Sequence, residues 1–505
     1  MIAIDERSRT VWLEELLSGF ARPGTIPRIR VHGLSLDSRR IRSGDLFLAL
    51  VGHQGHGIQY HQEAVRRGAS AILYDPVGGG RELAQTVKGV ACIPVDSLNQ
   101  TVGYIADRFF QQPSQFLDVI AVTGTNGKTS CTHFLAHALS NHRPAAVIGT
   151  LGWGVPHRLN PTDQTTPDAI EVHSLLDQLR SRSIRSVAIE ASSHGLFQGR
   201  LNGVRVKAAL YTNITRDHLD YHGTQEAYVE AKMRLLEFPG LETVAFNADD
   251  PVTSRIVERI PVHARAIAFS ISGRRNLPVP ALLANRITHE ADGLSIGLSF
   301  EGVDTEIRVP VFGDYNVENV LGTLAVLLGR GYGFVEAVER LTKLRPVPGR
   351  MEQYRSREGV TAVVDYAHSP DALERVLRHL KSHCQGDLWV VFGCGGERDR
   401  GKRPLMGQVA ERWADRVMVT DDNPRREDGD AIVADILAGC QGKDVTVQRD
   451  RRLAIQFAIE SAGPCDVVLI AGKGHECYQD VGSRRLPFDD REVVQSLVRA
   501  RGGAN

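Results

Sequence analysis

Gly124-Thr-Asn-Gly-Lys-Thr129 packs two glycines, a lysine and two threonine hydroxyls into six positions, and Ser130 adds another hydroxyl. Successive backbone amides at a helix start bind phosphate, an ammonium neutralises its charge, and the threonine offers a ligand to Mg²⁺. Gly124, Thr125, Asn126, Gly127, Lys128, Thr129 and Ser130 are therefore expected to cradle the phosphates of a nucleotide. Val122 stands where the usual G-x-x-x-x-G-K-[ST] pattern has its first glycine. Glu190 closes the apolar run Ser186-Val-Ala-Ile-Glu190, a strand end that would present a hard oxygen donor to a magnesium ion. In Asp421-Asp-Asn-Pro-Arg425 the proline stiffens the chain and Arg425 offers a planar fork to a carboxylate, although the same stretch also reads as a polar turn. Taken alone, Lys232 reads as a solvated lysine on a helix, His218 as a structural histidine and Asn316 as a helix cap.

The phosphate loop needs a strand before it and a helix after it. Phe116-Leu-Asp-Val-Ile-Ala-Val-Thr123 predicts the strand, and Thr129 to Leu139 the helix. Strand-like runs alternate with helical patterns through most of the 505 residues, predicting an α/β fold with largely parallel sheets. A polar turn at Gln111-Gln-Pro-Ser114 and a proline-rich link at Arg345-Pro-Val-Pro-Gly349 divide the chain into residues 1–113, 114–345 and 346–505. In the last segment three apolar runs each lead into a loop: Gly393-Cys-Gly-Gly396, Asp421 to Arg425, and Ala471-Gly-Lys-Gly-His-Glu476. Ligands of open parallel sheets lie beyond the carboxyl ends of the strands, so these loops are expected to converge on one half of a binding site.

Sixty basic residues balance sixty acidic ones, which leaves no global field for nucleic acid or an anionic membrane. The seven scattered cysteines include no C-x-x-C pair, arguing against a disulfide framework and for a reducing compartment. No leader-like N-terminus and no run of eighteen apolar residues stands in the chain, so a cytoplasmic location is expected.

Val122-Thr-Gly-Thr-Asn-Gly-Lys-Thr129 resembles the signature of the Mur ligase family, whose members use ATP and Mg²⁺ to join a carboxylate to an amine. That likeness implies three domains: a uridine-nucleotide-binding α/β domain, a central P-loop ATPase domain with a mainly parallel sheet, and a C-terminal Rossmann-like domain. Asn213-Ile-Thr-Arg-Asp-His-Leu-Asp220 is similar to the family's second marker, which makes His218 a magnesium ligand beside Thr129 and Glu190. The lysine a dozen residues on, here Lys232, is carbamylated in the family and helps to hold metal. Gly313-Asp-Tyr-Asn-Val-Glu-Asn319 resembles the stretch near the adenine, implying roles for Asn316 and Asn319, with Tyr315 in place of phenylalanine. Pro348-Gly-Arg-Met-Glu352 and Asp365-Tyr-Ala-His368 would place Arg350 on phosphate and Asp365 on the ribose or a metal-bound water.

The N-terminal Leu34-Ser-Leu-Asp-Ser-Arg39 and Gly52-His-Gln-Gly55 resemble the uridine-nucleotide domain of the muramyl-tripeptide branch, implying contacts from Leu36, Ser38, His53, Gln54 and Gly55. Gln164-Thr-Thr-Pro167 and Ser192 to Arg200 match the family's grip on UDP-MurNAc-L-Ala-D-Glu, implying Gln164, Thr165, Thr166, Ser192, Gln198 and Arg200; relatives often have asparagine where Gln164 stands. Asp422-Asn423-Pro424-Arg425 looks like the marker of the branch that adds meso-diaminopimelate, with Arg398, Gly472 and Glu476 completing that pocket and Glu476 facing an ammonium group. The partners so implied are small molecules, and the chain is expected to act as a monomer. A lysine-adding ligase is the alternative within the family. A nucleotide-switch NTPase module is the alternative outside it, and leaves the N-terminal segment unexplained.

Overall fold

The computed structural model describes residues 9–501 except 23, 25, 53–54, 141–142, 275–276, 291–292 and 443–444. The chain folds as two compact units: Met1–Thr123, Leu139–Ala209 and Ala231–Glu242 form one, and Gly124–Ala138, Leu210–Glu230 and Thr243–Asn505 the other.

In the first unit, four parallel strands run in the order Gly33–Ser35, Asp45–Ala49, Ala71–Tyr74, Ala91–Pro94. Strand residues alternate between faces, and here both faces are covered. Leu46, Leu48, Ala71 and Leu73 pack with the helix Leu98–Phe109, while Phe47, Ala49, Ile72 and Tyr74 form a separate core on the opposite face. The same unit holds the strands Arg158–Asn160, Gly152–Val155, Ala146–Gly149, Ser186–Glu190 and Asp118–Thr123, in that order. The last three are parallel, and Glu190 pairs in register with Val122, so the carboxylate stands level with the end of the strand that leads into the phosphate loop.

The second unit carries Thr243–Asn247, Arg265–Ser270 and Ala281–Glu290 as parallel neighbours, followed by the antiparallel strands Gly293–Phe300 and Val303–Val309. The parallel neighbours agree with the mainly parallel sheet expected, and the two antiparallel strands extend it at the edge, joined by a tight turn in which Glu301 and Gly302 take φ of 49° and 81°.

A six-stranded sheet follows in the order Glu352–Arg355, Thr361–Asp365, Val467–Ala471, Leu388–Phe392, Arg416–Val419, Val445–Val447, parallel apart from the first strand. Val363, Val390, Phe392, Val417 and Leu469 face the helices Pro370–His383, Lys402–Trp413 and Gly429–Leu437. Val364, Val391, Met418, Val468 and Ile470 face Arg451–Ser461 and Asp490–Ala500. Insertion of the last parallel strand in the chain between the first two is what wraps helices on both sides, the Rossmann-like arrangement expected. Among the described residues no helix is long and apolar enough to cross a membrane.

Candidate active site

Within the second unit the phosphate loop is held from several directions. Lys128 begins the helix Lys128–Leu139, and its Nζ donates to the carbonyls of Gly124 (2.8 Å) and Thr125 (2.9 Å), folding the ammonium over the loop. Gly127 has φ of 85°, and a Cβ there would lie 2.4 Å from Asn319 Oδ1, so only glycine permits the turn. Asn213 accepts from Thr125 N at 2.6 Å through its carbonyl and from Asn126 N at 3.0 Å through Oδ1. The Asn126 amide donates to Asp371 Oδ2 at 3.1 Å, and Thr125 Oγ1 lies 2.9 Å from the Tyr228 hydroxyl. Asp371 and Tyr228 were not marked by any motif; their contacts arise only from folding.

Arg350 reaches this loop from far along the chain. Its Nη2 donates to Thr129 Oγ1 at 3.2 Å and its guanidinium lies 4.3 Å over the ring of Tyr366, while Nη1 is buried with no hydrogen-bond partner among the described residues. A buried cationic donor left unpaired is costly, and an anion is its natural complement. Ser130, Phe134, Phe312, Asn316, Pro346 and Arg350 line a small cleft beside it, a mixture of apolar walls and polar points.

Asn316 is not a helix cap: Gly313 caps the helix Asp314–Gly329, and Asn316 Nδ2 instead donates to the Phe312 carbonyl at 2.7 Å. Asn319 Nδ2 donates to Asn316 Oδ1 at 2.9 Å, so the two amides act as a fixed pair. Asp365 is also committed locally, accepting from the amides of Met351 and Ala367, each at 2.8 Å, and from the Tyr315 hydroxyl at 3.4 Å. Burial pushes its carboxyl upward against the pull of Arg350. The structure thus gives Asp365 a hold on the Arg350 loop before any nucleotide contact.

His218 sits in the left-handed region at φ 52°, half-exposed, with Nε2 3.4 Å from Asp217 Oδ2. Burial works to raise the Asp217 carboxyl, but the neighbouring His218, His368 and Lys402 bring it down to about 2. Asp217 is therefore a fixed anion that orients His218. Its signal was in the Asp-His pair of the second marker.

At the far end of the six-stranded sheet the three expected loops do meet. Arg425 has φ of 53°, and its Nη1 donates to the Gly396 carbonyl at 2.6 Å. Asn423 is buried, donating to Glu476 Oε2 at 2.9 Å and accepting from Lys473 Nζ at 3.1 Å. Gly472 has no room for a side chain, since a Cβ would lie 2.6 Å from Asp422 Oδ2. Pro424 is buried within the turn, whereas Arg398 is exposed on its loop and donates to the Glu397 carbonyl at 3.3 Å. Glu476 was expected to face a substrate ammonium; the ammonium it meets is Lys473 Nζ, fully buried and 2.8 Å away. Burial raises the Glu476 carboxyl and Lys473 opposes that rise.

The first unit gathers a second set of residues. Glu190, 1% exposed, accepts from Thr150 N at 2.8 Å and from Thr150 Oγ1 at 3.1 Å, and that hydroxyl lies 3.1 Å from Thr165 Oγ1. Thr166 Oγ1 donates to the Glu190 carbonyl at 2.7 Å and accepts from Ser192 N at 3.0 Å. Arg200 donates to Gln198 Oε1 through Nε (2.9 Å) and Nη2 (2.6 Å), to the Thr166 carbonyl at 2.6 Å, and to Gln164 Oε1. Gln164 thus joins the cluster despite replacing asparagine. Lys232 is 1% exposed, which overturns its reading as a solvated surface lysine. Ser38 is buried at the start of the turn Ser38–Arg40, and Leu36 is partly buried against the N-terminal core. Gly55 is exposed in the hairpin Val51–Gly52 and Gly55–His56; His53 and Gln54 lie outside the described residues.

This chain is 45% identical over 94% of its length to a UDP-N-acetylmuramoyl-L-alanyl-D-glutamate--2,6-diaminopimelate ligase of Alkalilimnicola ehrlichii, covering 96% of that protein. The chain belongs to the Mur ligase family. A similarly named ligase of Xylella fastidiosa is 44% identical over 94% of this Mur ligase and 96% of its own length. A solved diaminopimelate ligase superposes with a TM-score of 0.68 at 37% identity, covering 97% of this chain and 99% of that one. The family's domains match in turn: the Mur ligase catalytic domain at residues 30–110, the middle domain at 122–327 and the glutamate ligase domain at 349–474. The three-domain architecture of this Mur ligase corresponds to its three principal sheets.

Proposed function

We propose that this Mur ligase adds meso-diaminopimelate to the D-glutamyl γ-carboxylate of UDP-MurNAc-L-Ala-D-Glu at the expense of ATP. The observation that carries this reading is the loop Asp422–Arg425. It meets Gly396 and Glu476 beyond the sheet, and it does so in a chain whose full-length relatives bear that ligase name.

ATP binds with its phosphates on Gly124 to Ser130 and its base in the cleft between Phe134 and Phe312. Lys128 exchanges two carbonyl partners for phosphate oxygens, and Arg350 Nη1 gains the anion it lacks. The γ-carboxylate, held by the cluster of Arg200, Gln198, Gln164, Thr165, Thr166 and Ser192, attacks the γ-phosphorus. A carboxylate–phosphorus bond forms, the bond to the β-phosphate oxygen breaks, and ADP leaves. The diaminopimelate amine then attacks the acyl carbon, loses a proton, and expels phosphate from the tetrahedral adduct. Arg425 grips the distal carboxylate of diaminopimelate, which lysine lacks. Leu36, Ser38 and the turn ending at Gly55 contact the uridine nucleotide.

The Thr129 hydroxyl within the second unit is an oxygen donor of the kind magnesium takes, and within the first unit so are the Glu190 carboxylate and Lys232 once carbamylation has given it oxygens. When bound, Mg²⁺ offsets the negative charge gathered on the phosphates. The free state of all seven cysteines supports a cytoplasmic setting.

Purified protein supplied with ATP, Mg²⁺ and the muramyl dipeptide should release phosphate when meso-diaminopimelate is added, with lysine at least ~10³-fold less effective in kcat/KM. Equal turnover with both amines would favour the lysine-adding alternative, and turnover without any amine would favour an NTPase switch.

A further inference from the structure

Three histidines that no motif singles out meet within the second unit. His289 is near the end of the strand Ala281–Glu290, and His379 and His383 stand four residues apart on the helix Pro370–His383. One ligand-type nitrogen from each lies within 4.8 Å of the others. The rings stand 5.1, 4.3 and 4.8 Å apart between centroids, for His289–His379, His289–His383 and His379–His383. Asp314, first residue of the helix Asp314–Gly329, adds an oxygen 3.0 Å from His289 Nε2 and 4.0 Å from His379 Nδ1. His379 is 6% exposed, and its Nδ1 is buried without a hydrogen-bond partner among the described residues.

Three imidazoles crowded together gain nothing from one another as bases, and an inward-facing nitrogen without a partner carries a desolvation cost. A cation removes both difficulties. Ligands sharing one tetrahedral ion at ~2.1 Å stand about 3.4 Å apart, so small ring rotations close the observed spacing. Histidines at i and i+4 project from one helix face, the spacing that helical metal sites use.

We propose that His289, His379, His383 and Asp314 form a binding site for a divalent transition ion of the zinc type, separate from the magnesium and nucleotide residues. Imidazole-rich donor sets favour Zn²⁺, Co²⁺ and Ni²⁺ over Mg²⁺, which takes oxygen ligands. The ion pins a strand of the middle domain to the first helix of the glutamate ligase domain, giving that junction a metal-dependent stiffness.

The test uses the full-length protein, stripped with a chelator and held in excess Mg²⁺, titrated with Co²⁺ as a spectroscopic probe and then with Zn²⁺ in competition. His289→Gln and His383→Gln are made separately, because both side chains reach solvent and their loss leaves the core intact, as circular dichroism will verify. The expected result is one equivalent of tetrahedral Co²⁺ absorption, displaced by stoichiometric Zn²⁺ and weakened at least ~10-fold in both variants. Absence of that absorption in the unmodified protein, or unchanged Co²⁺ affinity in either variant, overturns the proposal.

Discussion

Arg425 carries the proposed selection of the amine. Its left-handed backbone and its bond to the Gly396 carbonyl hold the guanidinium beyond the sheet, leaving further N–H groups of the fork for a carboxylate. A hydrogen bond to a charged group contributes about 1.5 to 3 kcal/mol, so Arg425→Ala should raise the KM for diaminopimelate by ~10- to 100-fold. The KM for the muramyl dipeptide should stay within about twofold, since the residues proposed to hold it are a separate set bonded to one another. Lys232 makes a sharper case, because a buried lysine on a helix calls for a chemical reason. Lys232→Ala should lower kcat at least ~100-fold, and the unmodified enzyme should lose activity in CO₂-depleted buffer and recover it with bicarbonate. Indifference of both to these treatments would remove carbamylation from the account. The candidates Lys128, His218 and Arg425 each stand inside a contiguous marker, where the sequence alone can propose them. Lys473 and Asp371 could not be proposed that way, because a lysine between two glycines or an aspartate at a helix start gains meaning only when folding brings Glu476 or Asn126 to it.

Among the elements, the helices Arg451–Ser461 and Asp490–Ala500 carry a buried pair that braces the loops beyond the six-stranded sheet. Arg451 donates to Asp490 at 2.8 and 2.7 Å with both side chains fully buried, and it also bonds the carbonyls of Ala471 and Asp421, at the roots of two of those loops. Removing one partner of a buried ion pair strands the other, at a cost of about 3 to 5 kcal/mol. Asp490→Asn should therefore lower the Tm markedly in a thermal melt and raise the KM for diaminopimelate more than that for ATP. The strands of this sheet were readable because each is an apolar run ending in a glycine or aspartate loop. The reading erred at ends: the strand predicted from Phe116 begins at Asp118, because Pro113 opens a short 3₁₀ turn over Pro113–Phe116. Sheet order, including the insertion of Val467–Ala471 between two earlier strands, has no local signature at all.

For the whole molecule, buried histidines govern the response to acid. Burial holds His133 and His368 down at about 4 and His475 at about 2, whereas the unfolded chain protonates histidine near ~6.5. Above that value neither state carries the extra proton and stability is complete. As pH falls below it the unfolded state gains protons first, so stability is lost at about 1.4 kcal/mol per histidine per pH unit until the folded values are reached. Melts between pH 7 and 5 should show a falling Tm, and His133→Asn should flatten the slope. The sequence places boundaries near residues 113 and 345, whereas the two compact units cut through the middle segment, since the chain leaves each unit and returns to it. Such re-entry is a property of long-range packing that no turn or proline announces. The central claim is that the glutamyl carboxylate is phosphorylated before the amine arrives. Muramyl dipeptide labelled with ¹⁸O in its γ-carboxylate, incubated with enzyme, ATP, Mg²⁺ and diaminopimelate, tests it most directly. One label per turnover should appear in the released phosphate, and phosphate free of label would contradict the acyl-phosphate route.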